Sequence, residues 1–268
     1  MSFFESLKAA IPRPLLAAAG SAVMRLRGDP RRFGVDRDGH WLYIQPEATF
    51  VSPDIYTRFY AQVEASVIDY WCAYERPQLG DTIIDVGAGI GDDVAVFSKL
   101  VGPTGRVIAI EAHPNTFACL QGTIERSGLT NVVAVQCAIA DRDGTLTMSD
   151  DSAHLANSIL KVKGGIEVPA KTLDTLLIEL GINEVGLLKM NIEGAERPAM
   201  SGMRKAAPSI RNVAISCHDF VADDGGGDDF RTLAVVQPAL EDMGFAVSNG
   251  KGGPEPWLVY TLYGKRKG

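Results

Sequence analysis

Residues 81–93, DTIIDVGAGIGDD, constrain the fold of this chain more than any other stretch. The short β-branched run 82–86 stops at Gly87, Gly89 and Gly91 follow at alternate positions, and an apolar segment, VAVFSKL, comes next. A run of that length and composition reads as a buried strand, and the segment after the glycines reads as a helix. Glycine lets the backbone turn where a Cβ would collide, and so brings N–H groups up to a ligand. The helix then opens its positive end towards the same place. This order of strand, glycine turn and helix starts an open α/β sheet that binds its ligand beyond the carboxyl ends of the strands.

Spacing separates two ligand classes. A dinucleotide fold uses G-x-G-x-x-G, but Asp92 holds the place of the third glycine and would set a carboxylate against the pyrophosphate. The pattern here, D-x-G-x-G-x-G over 85–91, resembles motif I of class I S-adenosylmethionine-dependent methyltransferases. A sulfonium and an ammonium tolerate neighbouring carboxylates, whereas a pyrophosphate does not. The resemblance implies that Asp85, Gly87, Ala88, Gly89 and Gly91 form the donor site. A second strand, RVIAIEAHP, ends at Glu111 followed by Ala112. An acid about 20 residues past the glycine turn can accept a hydrogen bond from both hydroxyls of a ribose. In the turn AIADRDG, Ala138, Ile139 and Asp141 fall where an adenine ring would pack.

The alternation continues with a helix over 115–127, a strand over 132–138, a polar loop over 150–165 and a helix over 173–180. His154 in that loop reads as a solvated histidine. A strand over 185–192 precedes a helix with Pro198 tolerated in its first turn. The run VAISCH is a fifth strand, 229–243 a final helix, and FAVSNG with WLVYTLYGK a closing hairpin. Repeated β–α units predict a Rossmann-like class I methyltransferase fold, a mostly parallel seven-stranded sheet with helices on both faces. The last pair would add an antiparallel edge.

Residues 1–75 read as an extension and 76–268 as the donor-binding domain. The extension holds an amphipathic helix within 1–27, a β-hairpin turning at 36–39, and a helix opened by Ser52-Pro53-Asp54. Its aromatic stripe, Tyr56 to Trp71, is expected in the core, with the exposed end capping the site. The first helix is expected to pack on the domain or on a second copy of the chain. No run reaches the roughly 18 apolar residues of a membrane span, so membrane contact is at most peripheral. The net charge of −7 argues against a broad nucleic-acid-binding face. Four cysteines, Cys72, Cys119, Cys137 and Cys217, sit singly in apolar contexts. They read as buried thiols of a reducing compartment, so a cytoplasmic location is expected.

Four ordered blocks, DVGAGIGDD, IEAHP, AIADRDG and LLKMNIEGAE, together resemble the FkbM-type S-adenosylmethionine-dependent methyltransferase family over residues 80–204. The resemblance implies methyl transfer to a hydroxyl of a small molecule or glycan, often a sugar of a natural product, glycolipid or polysaccharide. Two positions depart from the family pattern. Phe-Glu-Pro at the second strand tip is here Ile110-Glu111-Ala112. Lys-Ile-Asp-Val-Glu-Gly is here Lys189-Met190-Asn191-Ile192-Glu193-Gly194, which removes a negative charge beside the transferred methyl.

An alcohol needs a base within hydrogen-bond reach, a contribution of about 10²–10⁴-fold. Candidates at the strand tips are Asn191 and Glu193 after the fourth strand, and His218 and Asp219 after the fifth. His218 is the expected base, neutral at pH 7 from an unperturbed pKa of about 6.5, its ring oriented by Asp219 or Glu193. Asn191 would hold the donor or the acceptor. Plainer readings stand beside these: Glu193 a helix cap, Asn191 a loop brace, His218 a core histidine. The acidic, glycine-split run 219–229 reads as a mobile lid. A divalent cation held there with His218 or Glu193 is the less favoured reading, and no residue is assigned as a metal ligand. N-methylation, another use of the sulfonium, and donor binding without transfer remain as alternatives.

Overall fold

A computed structural model describes residues 11–56, 58–149, 165–252 and 255–267. The first ten residues, and His154 with most of the 150–165 loop, lie outside the described residues. Helix α1 (Arg13–Leu26) starts with Pro14 in its first turn, where a missing N–H costs nothing. A three-stranded antiparallel sheet follows: β1 (Arg32–Val35), β2 (Trp41–Ile44) and β3 (Thr49–Ser52). The expected hairpin turn is present, with the Asp36 carboxylate accepting from the N–H groups of Asp38 and His40.

Strand β3 replaces the expected helix start. Phe50 and Val51 are buried on their strand, so Ser52-Pro53-Asp54 ends a strand instead of capping a helix. The helix α2 (Tyr60–Ser66) begins later, where the Gln62 side chain accepts from the Phe59 N–H, and runs on as a π-helical stretch, Val67–Trp71.

The central sheet takes β4 (Thr82–Val86), β5 (Arg106–Glu111) and β6 (Val132–Gln136). A small second sheet takes β7 (Ala138–Ile139), β8 (Gly144–Met148) and β9 (Ile166–Lys171). The central sheet resumes with β10 (Val185–Met190), β11 (Ile210–Ser216), β12 (Phe245–Asn249) and β13 (Thr261–Arg266), in the order β12-β13-β11-β10-β4-β5-β6. The seven strands and their mostly parallel arrangement match the sequence reading. Two details differ. The expected strand 132–138 breaks at Cys137, and Ala138–Ile139 pairs with Ala170 and Lys171 in the small sheet. The closing hairpin forms, but its antiparallel member is the inner strand β13, paired with both β11 and β12. Burial explains the exchange: the first four residues of β13 are buried, whereas β12 is largely open after Phe245 and suits an edge.

Helices α3 (Asp92–Val101), α4 (Pro114–Arg126), α5 (Leu173–Glu179), α6 (Glu196–Ser201), α7 (Asp219–Asp223) and α8 (Leu233–Asp242) complete the chain. Successive strand residues face opposite sides, so two cores form. Ile84, Ile108 and Leu188 pack with Leu173, Leu176, Val236 and Leu240 on one face. Ile83, Val107 and Leu187 pack on the other with Val94 and Phe97 of α3 and with Phe50, Val63, Val67 and Trp71 of the N-terminal segment. All four cysteines are free and buried. Among the described residues no helix is long and apolar enough to cross a membrane.

Candidate active site

The glycine turn hangs on the end of β5, with the N–H groups of Gly87 and Ala88 donating to the Ile110 carbonyl at 2.9 and 3.0 Å. At Gly87, with φ of 76°, a Cβ would stand 1.9 Å from the Asn191 carbonyl oxygen, so only glycine lets β4 and β10 approach here. Gly89, with φ of 55°, has no atom within 4 Å of an added Cβ. Its open side is a space that a ligand could enter while its N–H holds Glu111. The Glu111 carboxylate accepts from the N–H groups of Gly89 at 3.0 Å and His113 at 2.9 Å. Burial pushes this carboxyl above its ordinary range, and the two N–H groups oppose that shift. Gly91 caps α3, and Ala112 is half-buried beyond the β5 tip.

A charged network lies beneath the turn. Asp85 is 0% exposed and takes the Lys189 ammonium at 2.7 Å. The same ammonium donates to the Gly87 carbonyl at 2.9 Å and lies 3.9 Å from Asp93. The Trp71 indole N–H donates to Asp93 at 2.8 Å, and its ring faces the Lys189 ammonium. Burial, and then the neighbouring Asp92, push the Asp93 carboxyl up to about 7. Asp92 accepts from the Tyr56 hydroxyl and lies 3.7 Å from the Arg58 guanidinium. Asp85 therefore supports the cradle from below as the counter-ion of Lys189. Ile139 is in the core beside Cys137, while Ala138 is half-buried at the start of the small sheet.

The tips of β10 and β11 bring a second group together. Asn191 donates its N–H to the Val86 carbonyl at 2.9 Å and sets its own carbonyl against Gly87. Glu193, with φ of 51°, is the one non-glycine in the left-handed region among the described residues, a conformation that costs a side-chain-bearing residue energy. His218 is 1% exposed between two carboxylates. Its Nδ1 is 2.8 Å from Glu196 and its Nε2 is 3.4 Å from Glu193. Burial alone would lower its pKa, but Glu196 and then Glu193 outweigh it and push the ring up to about 10. The two carboxylates thus favour the protonated ring, against the neutral imidazole expected from the unperturbed value.

Asp219 does not orient the ring. It accepts from the N–H groups of Thr232 and Leu233 at 3.0 and 2.9 Å and holds the start of α8. The carboxylate on Nδ1 is Glu196, 0% exposed, which the sequence reading placed in a helix-opening segment and gave no role. Its spacing of three residues from Glu193, straight after a strand tip, was the available signal. The acidic run expected as a lid is tied down, with Asp223 on Arg231 and Tyr260, and Asp228 on Arg231. Among the described residues no group of three or more histidines, cysteines or acids is arranged to hold a metal ion.

A seven-stranded sheet with one reversed inner strand, and a glycine turn between β4 and α3, define a class I methyltransferase fold. A profile of the Methyltransferase FkbM domain matches residues 85–246, more than half of the chain, and the chain belongs to this FkbM methyltransferase family. Similar proteins include Methyltransferase 1 of Beauveria bassiana, 26% identical over 210 residues, covering 69% of this chain and 80% of the relative. The 31-O-demethyl-FK506 methyltransferase FkbM of Streptomyces tacrolimicus is 29% identical over 202 residues, covering 63% of this chain and 74% of its own. The hexuronic acid methyltransferase AglP of Haloferax volcanii is 27% identical over 146 residues, covering 54% of this chain and 59% of its own. The protein is a methyltransferase.

Proposed function

We propose that this methyltransferase uses S-adenosylmethionine to methylate a hydroxyl of a sugar or a small natural product. The observation that carries the reading is the Glu193–His218–Glu196 array, which stands on the same sheet rim as the glycine cradle. Bound S-adenosylmethionine supplies an electrophilic methyl on a sulfonium. The residues present fit it: Gly89 leaves room beside the cradle, Glu111 stands where a ribose diol would meet it, and the nearby acids suit a cationic ligand. Ala112, Ala138 and Ile139 would flank the adenosine, and Asn191 would steady the donor or the acceptor at the β10 tip.

The array can take up the proton that the acceptor hydroxyl loses. The array sets two carboxylates against one ring. Glu193, whose side chain is 26% exposed, is the member that can reach an acceptor. We assign it as the proton-accepting group, with His218 and Glu196 fixing it from behind. The hydroxyl proton would pass to a Glu193 oxygen as the acceptor oxygen takes the methyl group that the donor would supply. A base held in place contributes about 10²–10⁴-fold.

An oxygen acceptor is supported by a similar protein named for 31-O-demethyl-FK506, and a sugar acceptor by one named for a hexuronic acid. The test is S-adenosylhomocysteine release with a panel of uronic acid glycosides, hexosides and macrolide alcohols, followed by assignment of the new methyl by NMR. An O-methyl product is expected. A methyl found on nitrogen would overturn the reading. Donor binding without release across the panel would favour a binding protein, the reading that Asn191 in place of the family's aspartate suggests.

A further inference from the structure

S-adenosylmethionine ends in an amino acid, whose carboxylate must enter a site built from acids. Asp85, Asp92, Asp93 and Glu111 all surround the glycine turn. Two cations act on the acids at the start of α3, Lys189 and Arg58. Lys189 is 3% exposed and committed to Asp85, the Gly87 carbonyl and Asp93. Arg58 is different. Its side chain is 41% exposed, and among the described residues its one ion-pair partner is Asp92, at 3.7 Å. A guanidinium presents paired N–H groups in a plane that matches a carboxylate. Arg58 and Asp92 thus set one positive and one negative charge side by side at the end of the cradle, a complement to an ammonium and a carboxylate borne on one carbon.

We propose that Arg58, from the N-terminal extension, pairs with the α-carboxylate of the donor, and that the extension thereby completes the donor site. Residues of the Rossmann-like part would hold the nucleoside, and the segment before it would hold the amino acid. The inference rests on the donor reading above.

Calorimetric titration separates the two halves of the ligand. S-adenosylhomocysteine carries the amino-acid end, whereas 5′-methylthioadenosine lacks it. Charge-assisted hydrogen bonds are strong enough that Arg58→Ala should weaken S-adenosylhomocysteine by about tenfold or more and leave 5′-methylthioadenosine unchanged. Arg58→Lys should recover part of the loss, since the charge remains without the fork. Glu111→Ala, acting on the nucleoside, should weaken both ligands. Unchanged S-adenosylhomocysteine affinity in Arg58→Ala, or an equal loss for both ligands, would overturn the inference. If the wild-type protein binds neither ligand, the donor reading itself fails and takes this inference with it.

Discussion

His218 is a residue whose protonation the fold shifts strongly. Its pKa rises from an unfolded value of about 6.5 to about 10 in the native protein. The stabilisation from its charged form is complete below the unfolded value and is lost as pH climbs through the folded one. The melting midpoint should therefore fall between pH 7 and 10 by more in the wild type than in His218→Gln, where the titrating ring is gone. Equal slopes in the two proteins would assign that loss to other groups. Glu193→Gln should cut turnover on an accepted hydroxyl by about 10²-fold while leaving S-adenosylhomocysteine affinity intact. A variant with wild-type turnover would remove Glu193 as the proton acceptor. The place of Glu111 beside the glycine turn was legible from sequence because one acid at a set distance from that turn suffices. For Glu196 the three-residue spacing from Glu193 was the one local signal, and its meeting with His218 follows only from the parallel pairing of β10 with β11.

At the scale of elements, β4 and β10 are joined by a charge pair as well as by their ladder. Asp85 and Lys189 stand directly opposite in the register, both buried. Removing one member of such a pair leaves the other uncompensated, which costs about 3–5 kcal/mol. Lys189→Met should show that loss in urea unfolding, and Asp85→Asn added to it should restore part of it. A small loss, with no recovery in the double variant, would mean that the pair is solvated in the native state. The central strands were readable because burial on both faces writes them as near-continuous apolar runs, broken in β4 and β10 only by the Asp85–Lys189 pair. Strand β3 was hidden, because Ser52-Pro53-Asp54 carries the same chemistry as a helix start. Only the burial of Phe50 and Val51 against the domain decides between the two. Strands β8 and β9 escaped for a related reason: each is half-exposed and joins a small sheet of its own.

The whole molecule is less divisible than its sequence suggests. Phe50, Val63 and Val67, none of them exposed, share a core with Val94, Phe97 and Val101 of the glycine-turn helix. Residues 76–268 alone should consequently bind a hydrophobic dye and lack a cooperative melting transition. Cooperative melting of that fragment would show that the extension is an accessory. The inner position of β13 carries a consequence for synthesis. Among the described residues β12 pairs with β13 alone, and β11 needs β13 to close its outer edge. Until β13 is made and docked, β12 has no partner and the edge of β11 stays open. Such an edge is a template for wrong pairing. Released chains truncated between residues 250 and 260 should therefore aggregate or recruit chaperones, because one missing strand removes two from the sheet.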